Sequence, residues 1–381
     1  MNTFTNDVLR CCPTKAYISY SALEYNYNTL RSLLPEGCGF VGVVKSNAYG
    51  HGAIEVARKL ELWGCEYLAV ANLAEALELR GAGITLPILI LGITAPEHTK
   101  TLIDNNLTQT IADNATAKAY SQRAVKLGKS LKCHLKLDTG MGRIGFFSLD
   151  GGESDISAAC TAVRELNLSY EGVFTHFATS DVGEDGGNTS RQFKSFISAV
   201  DAIESATGRK FRLRHCANSG ATVCYPETHL DMVRPGIALY GYAPENPSGI
   251  KLRPVMTVKS RVVQLRTPAA GSGVSYGRTY ITGGGEKLAV IPMGYNDGLF
   301  RLLSNKISFV CKGKMIPQVG RICMDMCMAD ASAAGDVQIG DEVIIFGEKA
   351  MSAQDMAESI GTISYELLCA MDRRVGRVYI D

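Results

Sequence analysis

The sequence has few of the features that mark a membrane or nucleic-acid-binding protein. Among its 381 residues, Lys and Arg number 39 and Asp and Glu 38, so the formal net charge is only +1. This balance gives no field that attracts a polyanion, and we expect no nucleic-acid partner. The longest apolar runs, such as 86–92, are far shorter than the roughly 20 residues of a membrane-spanning helix. Residues 1–12 lack the apolar segment of a signal peptide.

Paired cysteine motifs are also missing. The 12 cysteines include no CxxC pair, and most lie within apolar runs, where a free thiol behaves as a small hydrophobic side chain. Cys323 and Cys327 lie close together in sequence, but no nearby histidine or second cysteine pair completes a metal shell. We therefore expect no disulfides, no metal site, a reducing environment and a cytoplasmic location.

Short apolar runs alternate with segments of helical periodicity up to about residue 245. The runs extend from 15–20 at the start to 236–240 at the end, and they are apolar on both faces, as in a parallel sheet covered by helices. About eight strand–helix units in about 230 residues predict a (β/α)8 TIM-like barrel rather than an open doubly wound sheet. No GxGxxG motif follows the first strand, so no dinucleotide site is expected.

The composition changes at residues 243–254, where Pro244, Pro247, Gly249 and Pro254 cluster. Beyond this segment, β-type runs separated by glycine turns predict a mainly antiparallel β domain, interrupted by a helix near 351–360. The predicted organisation is an N-terminal extension over residues 1–13, an α/β barrel over 14–245 and a C-terminal β domain over 246–381.

The carboxyl ends of barrel strands are where chemistry is expected. Lys45 ends an apolar run before a polar, glycine-rich turn, a place where burial suits an amine that must form a Schiff base. Another run ends with Lys136 and Asp138, and Arg143 follows it. The three charged residues form either a binding cluster or a structural ion-pair network. His176 ends a third run, where the alternative is a core histidine with satisfied hydrogen bonds.

Two turns near the last predicted strands are suited to bind an anion. One turn follows a strand and opens a helix, so that its backbone N–H groups can face the anion, and the other lies beside a guanidinium. Phosphate sites in barrels commonly lie after the last strands, and the two turns together predict such a site. Their candidate residues are His215, Asn218, Ser219, Arg234, Gly236 and Ile237.

Three candidate residues lie in turns of the predicted β domain. Tyr276 and Tyr295 lie in glycine-flanked turns, where a core tyrosine is unusual, and Met324 lies in the polar turn 320–325. The alternative for each turn is a loop without a function.

Together these motifs resemble those of a known enzyme family. The stretch 44–52, VKSNAYGHG, closely resembles the pyridoxal phosphate lysine motif of the alanine racemases. Similar segments follow in the family's order, and the resemblance runs from about Lys15 to the C-terminus. These segments are 136–145, 174–178, 215–219, 234–241, 275–277, 294–295 and 320–325.

The resemblance implies a pyridoxal 5'-phosphate-dependent racemase that interconverts L- and D-alanine and supplies D-alanine for peptidoglycan precursors. Lys45 would carry the cofactor covalently as a Schiff base. Tyr276 would be the second base, and it would enter from the other subunit, so the resemblance implies a homodimer with shared active sites. Racemisation needs a proton removed from one face of the α-carbon and returned to the other, and two such groups satisfy that need.

The resemblance also implies roles for the other candidates. Arg234 would face the pyridine nitrogen, supported by His215 and His176. Arg143 would contact the cofactor's phenolic oxygen and the substrate carboxylate, with Met324 and Tyr295 beside the substrate. Lys136 matches a position that is often carbamylated. The residues that would hold the cofactor and its phosphate are Tyr49, Asn218, Ser219, Gly236, Ile237 and Tyr365.

Alternatives to an alanine racemase differ in substrate or in reaction. The first is a serine, or dual alanine and serine, racemase of a vancomycin-resistance system. Such enzymes carry a membrane domain, and residues 1–13 would then be the linker of a membrane-anchored protein with a cytoplasmic racemase domain. Tyr365 favours alanine, because the serine enzymes tend to have a smaller polar residue there. A decarboxylase would place an acidic residue at the pyridine nitrogen instead of Arg234, and a non-catalytic cofactor carrier needs no Tyr276.

Overall fold

The N-terminal two thirds of the protein form a barrel in a computed structural model that describes residues 12–149, 153–243 and 249–381. The predicted extension up to residue 11, and Pro244 and Pro247 of the predicted boundary, lie outside the described residues. The strands before residue 243 are β1 (Lys15–Ser19), β2 (Gly39–Val43), β3 (Tyr67–Val70), β4 (Ile88–Ile90), β5 (Leu107–Ile111), β6 (Leu131–Asp138), β7 (Phe146–Phe147), β8 (Leu168–Phe174), β9 (Leu213–His215) and β10 (Met232–Val233).

Helices alternate with these strands, and several begin at a residue whose side chain caps the helix. Asn72 accepts from the Glu75 backbone N–H at the start of α3, and Asp113 accepts from Thr116 at the start of α5. The helices are α1 (Tyr20–Arg31), α2 (Ala53–Leu62), α3 (Leu73–Gly81), α4 (Thr99–Asp104), α5 (Asn114–Leu127), α6 (Glu153–Val163), α7 (Asn188–Thr207) and α8 (Ser219–Cys224).

Eight parallel strands make the barrel, in the order β10, β2, β3, β4, β5, β6, β8 and β9, with β7 attached to β6. Backbone hydrogen bonds link the β9 and β10 segments, from Asp231 to Arg214 at 3.1 Å and from Arg234 to Ala217 at 2.9 Å. Strands such as β2 and β5 are buried along their whole length, as the apolar runs require. The predicted barrel is confirmed, and its carboxyl ends converge on one face.

A second sheet is built mostly from the C-terminal third, and its hydrogen-bonded neighbours among the described strands are antiparallel except for β1 and β20. The predicted, mainly antiparallel β domain is confirmed. Its strands are β11 (Met256–Arg261), β12 (Gln264–Arg266), β13 (Gly273–Val274), β14 (Tyr280–Ile281), β15 (Leu288–Ile291), β16 (Ser308–Cys311), β17 (Lys314–Val319), β18 (Cys327–Asp330), β19 (Glu342–Phe346) and β20 (Gly376–Ile380), with helices α9 (Ala353–Glu358) and α10 (Ser364–Cys369).

Two strand predictions are wrong, one in location and one in type. The run 15–20 forms β1, but it pairs with β11 and β20 in the second sheet and not in the barrel. The run 236–240 forms a 3₁₀ turn at Ile237–Tyr240, and β10 is the eighth barrel strand. A short apolar run does not distinguish a strand from a buried helical turn, and Pro235 removes a donor that a central strand needs.

The C-terminal helix α10 closes one side of the barrel mouth. Gly50 allows this approach, because a β-carbon there would overlap the backbone carbonyl of Leu368. The contact brings Tyr365, in the first turn of α10, close to the ring of Tyr49, with the ring centroids 5.9 Å apart. In the described ranges, no helix has both the length and the apolar character needed to cross a membrane.

Candidate active site

A cavity of about 330 Å³ opens at the carboxyl ends of the barrel strands. It collects side chains from β2, β6, β8 and the turns after β9 and β10, together with α10. Candidates that are distant in sequence therefore share one space. The predicted site residues that line it are Lys45, Tyr49, Lys136, Arg143, His176, Asn218, Ser219, Arg234, Gly236, Ile237 and Tyr365.

Lys45 lies just beyond β2, at the start of an unusual left-handed turn. Ser46, Asn47 and Ala48 have φ of 53° and Tyr49 has φ of 52°, a conformation that costs L-residues roughly 1–2 kcal/mol each. Two hydrogen bonds hold the turn: the Ser46 N–H donates to Glu75 at 2.7 Å, and the Asn47 side chain accepts from Ala53 N at 2.9 Å. The turn directs both an amine and a phenol into the cavity.

The amine of Lys45 is easier to deprotonate than an exposed lysine. Burial is the main cause of its lowered pKa, and the positive charges of Arg143 and Arg234 act in the same direction. A lowered pKa increases the fraction of free amine, which is the form that attacks an aldehyde.

Hydroxyl and backbone N–H groups converge on one side of the cavity. The Ser219 hydroxyl accepts from the backbone N–H of Gly236 at 2.9 Å and of Ala238 at 3.2 Å. Burial raises the pKa of Tyr49 and of Tyr365, so both remain phenols that can donate at neutral pH. A β-carbon on Gly236 would overlap the Tyr49 phenolic oxygen, so glycine is required at this position.

Arg234 lies at the floor of the cavity and is almost fully buried. Its guanidinium donates to Nδ1 of His215 at 2.7 Å and to the Thr175 carbonyl at 2.8 Å. Burial lowers its pKa to about 10, which leaves it charged at neutral pH. His215 does not line the cavity but supports Arg234 from below, whereas His176 lines the cavity itself. Burial and the charge of Arg234 lower the pKa of His176 well below its usual range.

Lys136 and Arg143 also line the cavity. Burial is the main reason that the pKa of Lys136 is lowered to about 7, and Arg234 and Arg143 lower it further against the effect of Asp138. Asp138 was expected in a charge cluster, but its carboxylate accepts from backbone N–H groups, including that of Arg143 at 2.8 Å. Asp138 therefore fixes the loop that carries Arg143.

Three candidates of the β domain lie elsewhere. Tyr276, Met324 and Tyr295 are 68%, 52% and 41% exposed, and they are not among the described residues that line the cavity. Hydrogen bonds join their turns into one surface: the Ser275 hydroxyl donates to the Arg321 carbonyl at 2.6 Å, and the Tyr295 N–H donates to Cys323 O at 3.0 Å.

No role follows from the sequence for two side chains near the cavity floor. Phe174 lines the cavity and stacks on His215 with the rings 4.9 Å apart, whereas Glu171 lies beside His134 and does not line the cavity. A glutamate within the apolar run at 168–174 was the available signal, because a carboxylate in a barrel strand needs a buried partner.

Comparison with known proteins assigns the family. The profile of the alanine racemase N-terminal domain matches residues 18–244, and that of the alanine racemase C-terminal domain matches residues 255–379. The chain belongs to the alanine racemase family. This family depends on pyridoxal phosphate.

Relatives of the chain are similar over almost its whole length. Alanine racemase of Desulfovibrio desulfuricans is 45% identical over 372 residues, covering 97% of this chain and 98% of the relative. Alanine racemase of Clostridium perfringens strain SM101 is 43% identical over 96% of this chain and 95% of its own length. The solved alanine racemase of Clostridium difficile 630 superposes with a TM-score of 0.90 at 40% identity, over 97% of this chain and 96% of that one.

The residues in the cavity fit the cofactor of this family. An amine with a lowered pKa stands at one wall, a guanidinium lies at the floor, and phenol, hydroxyl and N–H donors gather on one side. These groups suit an aldehyde, a ring nitrogen and a phosphate, respectively.

Proposed function

We propose that this protein interconverts L- and D-alanine with pyridoxal phosphate bound in the barrel cavity, and that its product serves peptidoglycan precursors. The names of its relatives support the substrate. The observation that carries the proposal is that Lys45 and Arg234 line the same cavity as the phenols of Tyr49 and Tyr365. When bound there, the cofactor supplies an electron sink that makes the α-proton of an attached amino acid acidic.

The donors at one side of the cavity hold the phosphate in this proposal. Tyr49 and Tyr365 donate from their phenols, Ser219 from its hydroxyl and Ile237 from the backbone, while the N–H of Gly236 holds the Ser219 hydroxyl in place. Neutral donors suit this task because they bind a dianion and cannot exchange a proton with it at neutral pH.

Two groups from different subunits move the proton at the α-carbon. Lys45 takes or returns it on one face. Tyr276 does so on the other face, but it is exposed and lies outside the cavity of its own chain, so the partner subunit's Tyr276 must supply it. We therefore propose a homodimer in which each cavity is completed by the partner.

Arg143 binds the substrate carboxylate, and Lys136 orients Arg143. The lowered pKa of Lys136 leaves a free amine that can attack carbon dioxide. A C–N bond then forms, a proton is released, and the resulting carbamate is an anion that pairs with the guanidinium of Arg143. Lys136 as a cation would repel that guanidinium instead.

Arg234 keeps the reaction to racemisation. Its pKa of about 10 means that it holds its protons at neutral pH and presents a donor to the ring nitrogen without protonating it. By leaving the ring nitrogen unprotonated, Arg234 would weaken the electron sink and so favour return of the proton to the α-carbon over its transfer to the cofactor.

Mixing two inactive variants tests the shared site. Lys45→Ala and Tyr276→Phe homodimers should each lose racemisation of L-alanine, measured by optical rotation. After subunit exchange, half of the dimers are mixed and each has one intact site, so about one quarter of wild-type activity should return. No recovery despite demonstrated exchange would contradict a site shared between subunits.

The same assay tests the reaction itself. Wild-type protein loaded with pyridoxal phosphate should racemise L-alanine, and Tyr276→Phe should abolish this in both directions. A cofactor carrier would bind pyridoxal phosphate without racemising alanine, and a decarboxylase would release carbon dioxide from the amino acid; either result would overturn the proposal.

A further inference from the structure

A row of four side chains runs from the cavity floor through the barrel interior. Arg234 contacts Nδ1 of His215 at 2.7 Å, and Nε2 of His215 contacts Nδ1 of His134 at 2.9 Å. Nε2 of His134 points to the Glu171 carboxylate, 3.5 Å away. We call Arg234, His215, His134 and Glu171 the core row.

The two ends of the core row determine where its protons lie. A guanidinium can only donate, so Nδ1 of His215 must accept and its proton must be on Nε2. His215 then donates to Nδ1 of His134, whose own proton is on Nε2 and faces Glu171. A carboxylate can only accept, so both ends impose the same direction. Both imidazoles are fully buried, and burial lowers the pKa of each, so each carries one proton.

Local features of the fold build this arrangement. The register of β6 and β8 shifts between Cys133 and His134, which places His134 opposite Gly172. A β-carbon on Gly172 would lie 2.7 Å from the His134 ring, so only glycine leaves room for the imidazole. Gly172, the residue after Glu171, therefore makes room for the His134 ring that the Glu171 carboxylate faces.

Glu171 is held at the amino-terminal end of the barrel. The Tyr67 phenol at the start of β3 donates to its carboxylate at 2.9 Å, and Arg212, just before β9, lies 3.6 Å away. The neighbouring His134, and then Tyr67, lower the pKa of Glu171 to about 2 against the effect of burial. In the part of the chain that the structure describes, His134 Nε2 has no hydrogen-bond partner, so Glu171, 3.5 Å away, acts on it as a neighbouring charge.

We propose that Glu171 is a positioning residue for Arg234, which it reaches through His134 and His215. Its negative charge attracts the N–H protons of the row and makes Nδ1 of His215 a stronger acceptor. Arg234 then holds its protons more firmly and donates less strongly to whatever it faces in the cavity. This inference rests on the proposed function in one respect, namely that Arg234 faces the pyridine nitrogen.

Nitrogen NMR of the holoenzyme labelled with ¹⁵N-histidine tests the direction of the row. The wild type should show His134 and His215 with protonated Nε2 and unprotonated Nδ1, with assignment by a His134→Gln variant. Glu171→Gln should keep both tautomers, because Arg234 still imposes them, but should shift the Nε2 resonance of His134, since the neighbouring charge is lost. The wild-type spectrum needs no variant, and an Nδ1–H tautomer of either histidine would overturn the proposal even if Glu171→Gln fails to fold.

A second measurement separates positioning from mere structural support. Glu171→Gln should make Arg234 a stronger donor. Transamination, in which the amino group of alanine passes to the cofactor and pyruvate is released, should then rise about fivefold per racemisation event, the scale of one ordinary hydrogen bond. Tyr67→Phe is the matched control, because it removes another bond to the same carboxylate but leaves the row intact, so pyruvate release should not change. Equal pyruvate release, or an unchanged Nε2 resonance of His134, in Glu171→Gln would refute the inference. Failure of racemisation in the wild type would refute the proposed function alone, since the tautomers are read independently.

Discussion

The carboxylate of Asp138 accepts the backbone N–H of Arg143 at 2.8 Å and thereby fixes the loop that carries this arginine to the cavity. The other carboxylate oxygen accepts from three further N–H groups at 3.0, 2.9 and 3.1 Å, those of Gly140, Met141 and Gly142. Burial opposes the charge of Asp138, but these backbone donors outweigh it and lower its pKa.

Replacing Asp138 with Asn should destabilise the protein by about 2 kcal/mol, because the amide turns two donors toward the N–H of Arg143. The KM for L-alanine should rise, since Arg143 loses its support. Urea unfolding and steady-state kinetics measure the two effects.

The control for this change is Asp113→Asn at the N-cap of α5, where Asn caps a helix about as well as Asp. The difference between wild type and Asp138→Asn should also depend on pH. The native pKa lies below the unfolded value of about 3.9, so the contribution is present above that pH and is lost as the pH falls through the native pKa. Equal stability of the two proteins at neutral pH would contradict this role.

Lys136 should make stability rise with pH in buffer free of carbon dioxide. Its native pKa of about 7 lies below the ordinary value of 10.5, so between these values the unfolded chain binds one more proton. The free energy of unfolding should therefore rise by up to about 1.4 kcal/mol per pH unit in this window. Lys136→Met should remove the part of this rise that Lys136 contributes, whereas Lys132→Met, on the exposed side of β6, should keep the full rise.

The same variant tests the carbamate. Wild-type protein in ¹³C-bicarbonate should give a carbamate signal by ¹³C NMR, and Lys136→Met should lack it. A signal of equal strength in both proteins would assign the carbamate to another amine.

Gly236→Ala should weaken cofactor binding by at least tenfold, because the added methyl group displaces the Tyr49 phenol from the phosphate donors, a loss of about 1.4 kcal/mol or more. Titration of the apoprotein with pyridoxal phosphate measures the affinity. Gly81→Ala is the matched control, because a β-carbon there meets nothing within 4 Å. It should leave the affinity unchanged.

Tyr365 should favour alanine over serine, though only partly. A pocket shaped for a methyl group rejects an added hydroxyl by a factor of about 10² at most, so slow racemisation of L-serine is expected. Tyr365→Asn should raise kcat/KM for serine relative to alanine on the same preparation. A wild type that prefers serine would establish the alternative substrate.

Prediction from sequence succeeded where the local pattern of apolar residues matches the burial of that segment in the folded protein. Strand β6 corresponds to the apolar run that carries Lys136 and Asp138, and every residue of it except Lys132 is buried, as the run predicts. The run 15–20 was predicted to be a strand but assigned to the wrong sheet, because an apolar run encodes burial and not its pairing partner.

The roles of individual polar side chains were harder to predict. The sequence places Asp138 near cations, and no motif includes Glu171, because contacts with backbone N–H groups and with distant imidazoles cannot be seen in a sequence.

Local patterns along the chain predict the barrel, the β domain and the identity of the groups that the cavity needs, because periodicity and short motifs are properties of neighbouring residues. Three further features became visible in the folded protein: Tyr276 lies outside the cavity of its own chain, a glycine makes room for His134, and four donors surround Asp138. Each of these depends on distances between segments far apart in the chain, and such distances are set by packing and not by local sequence.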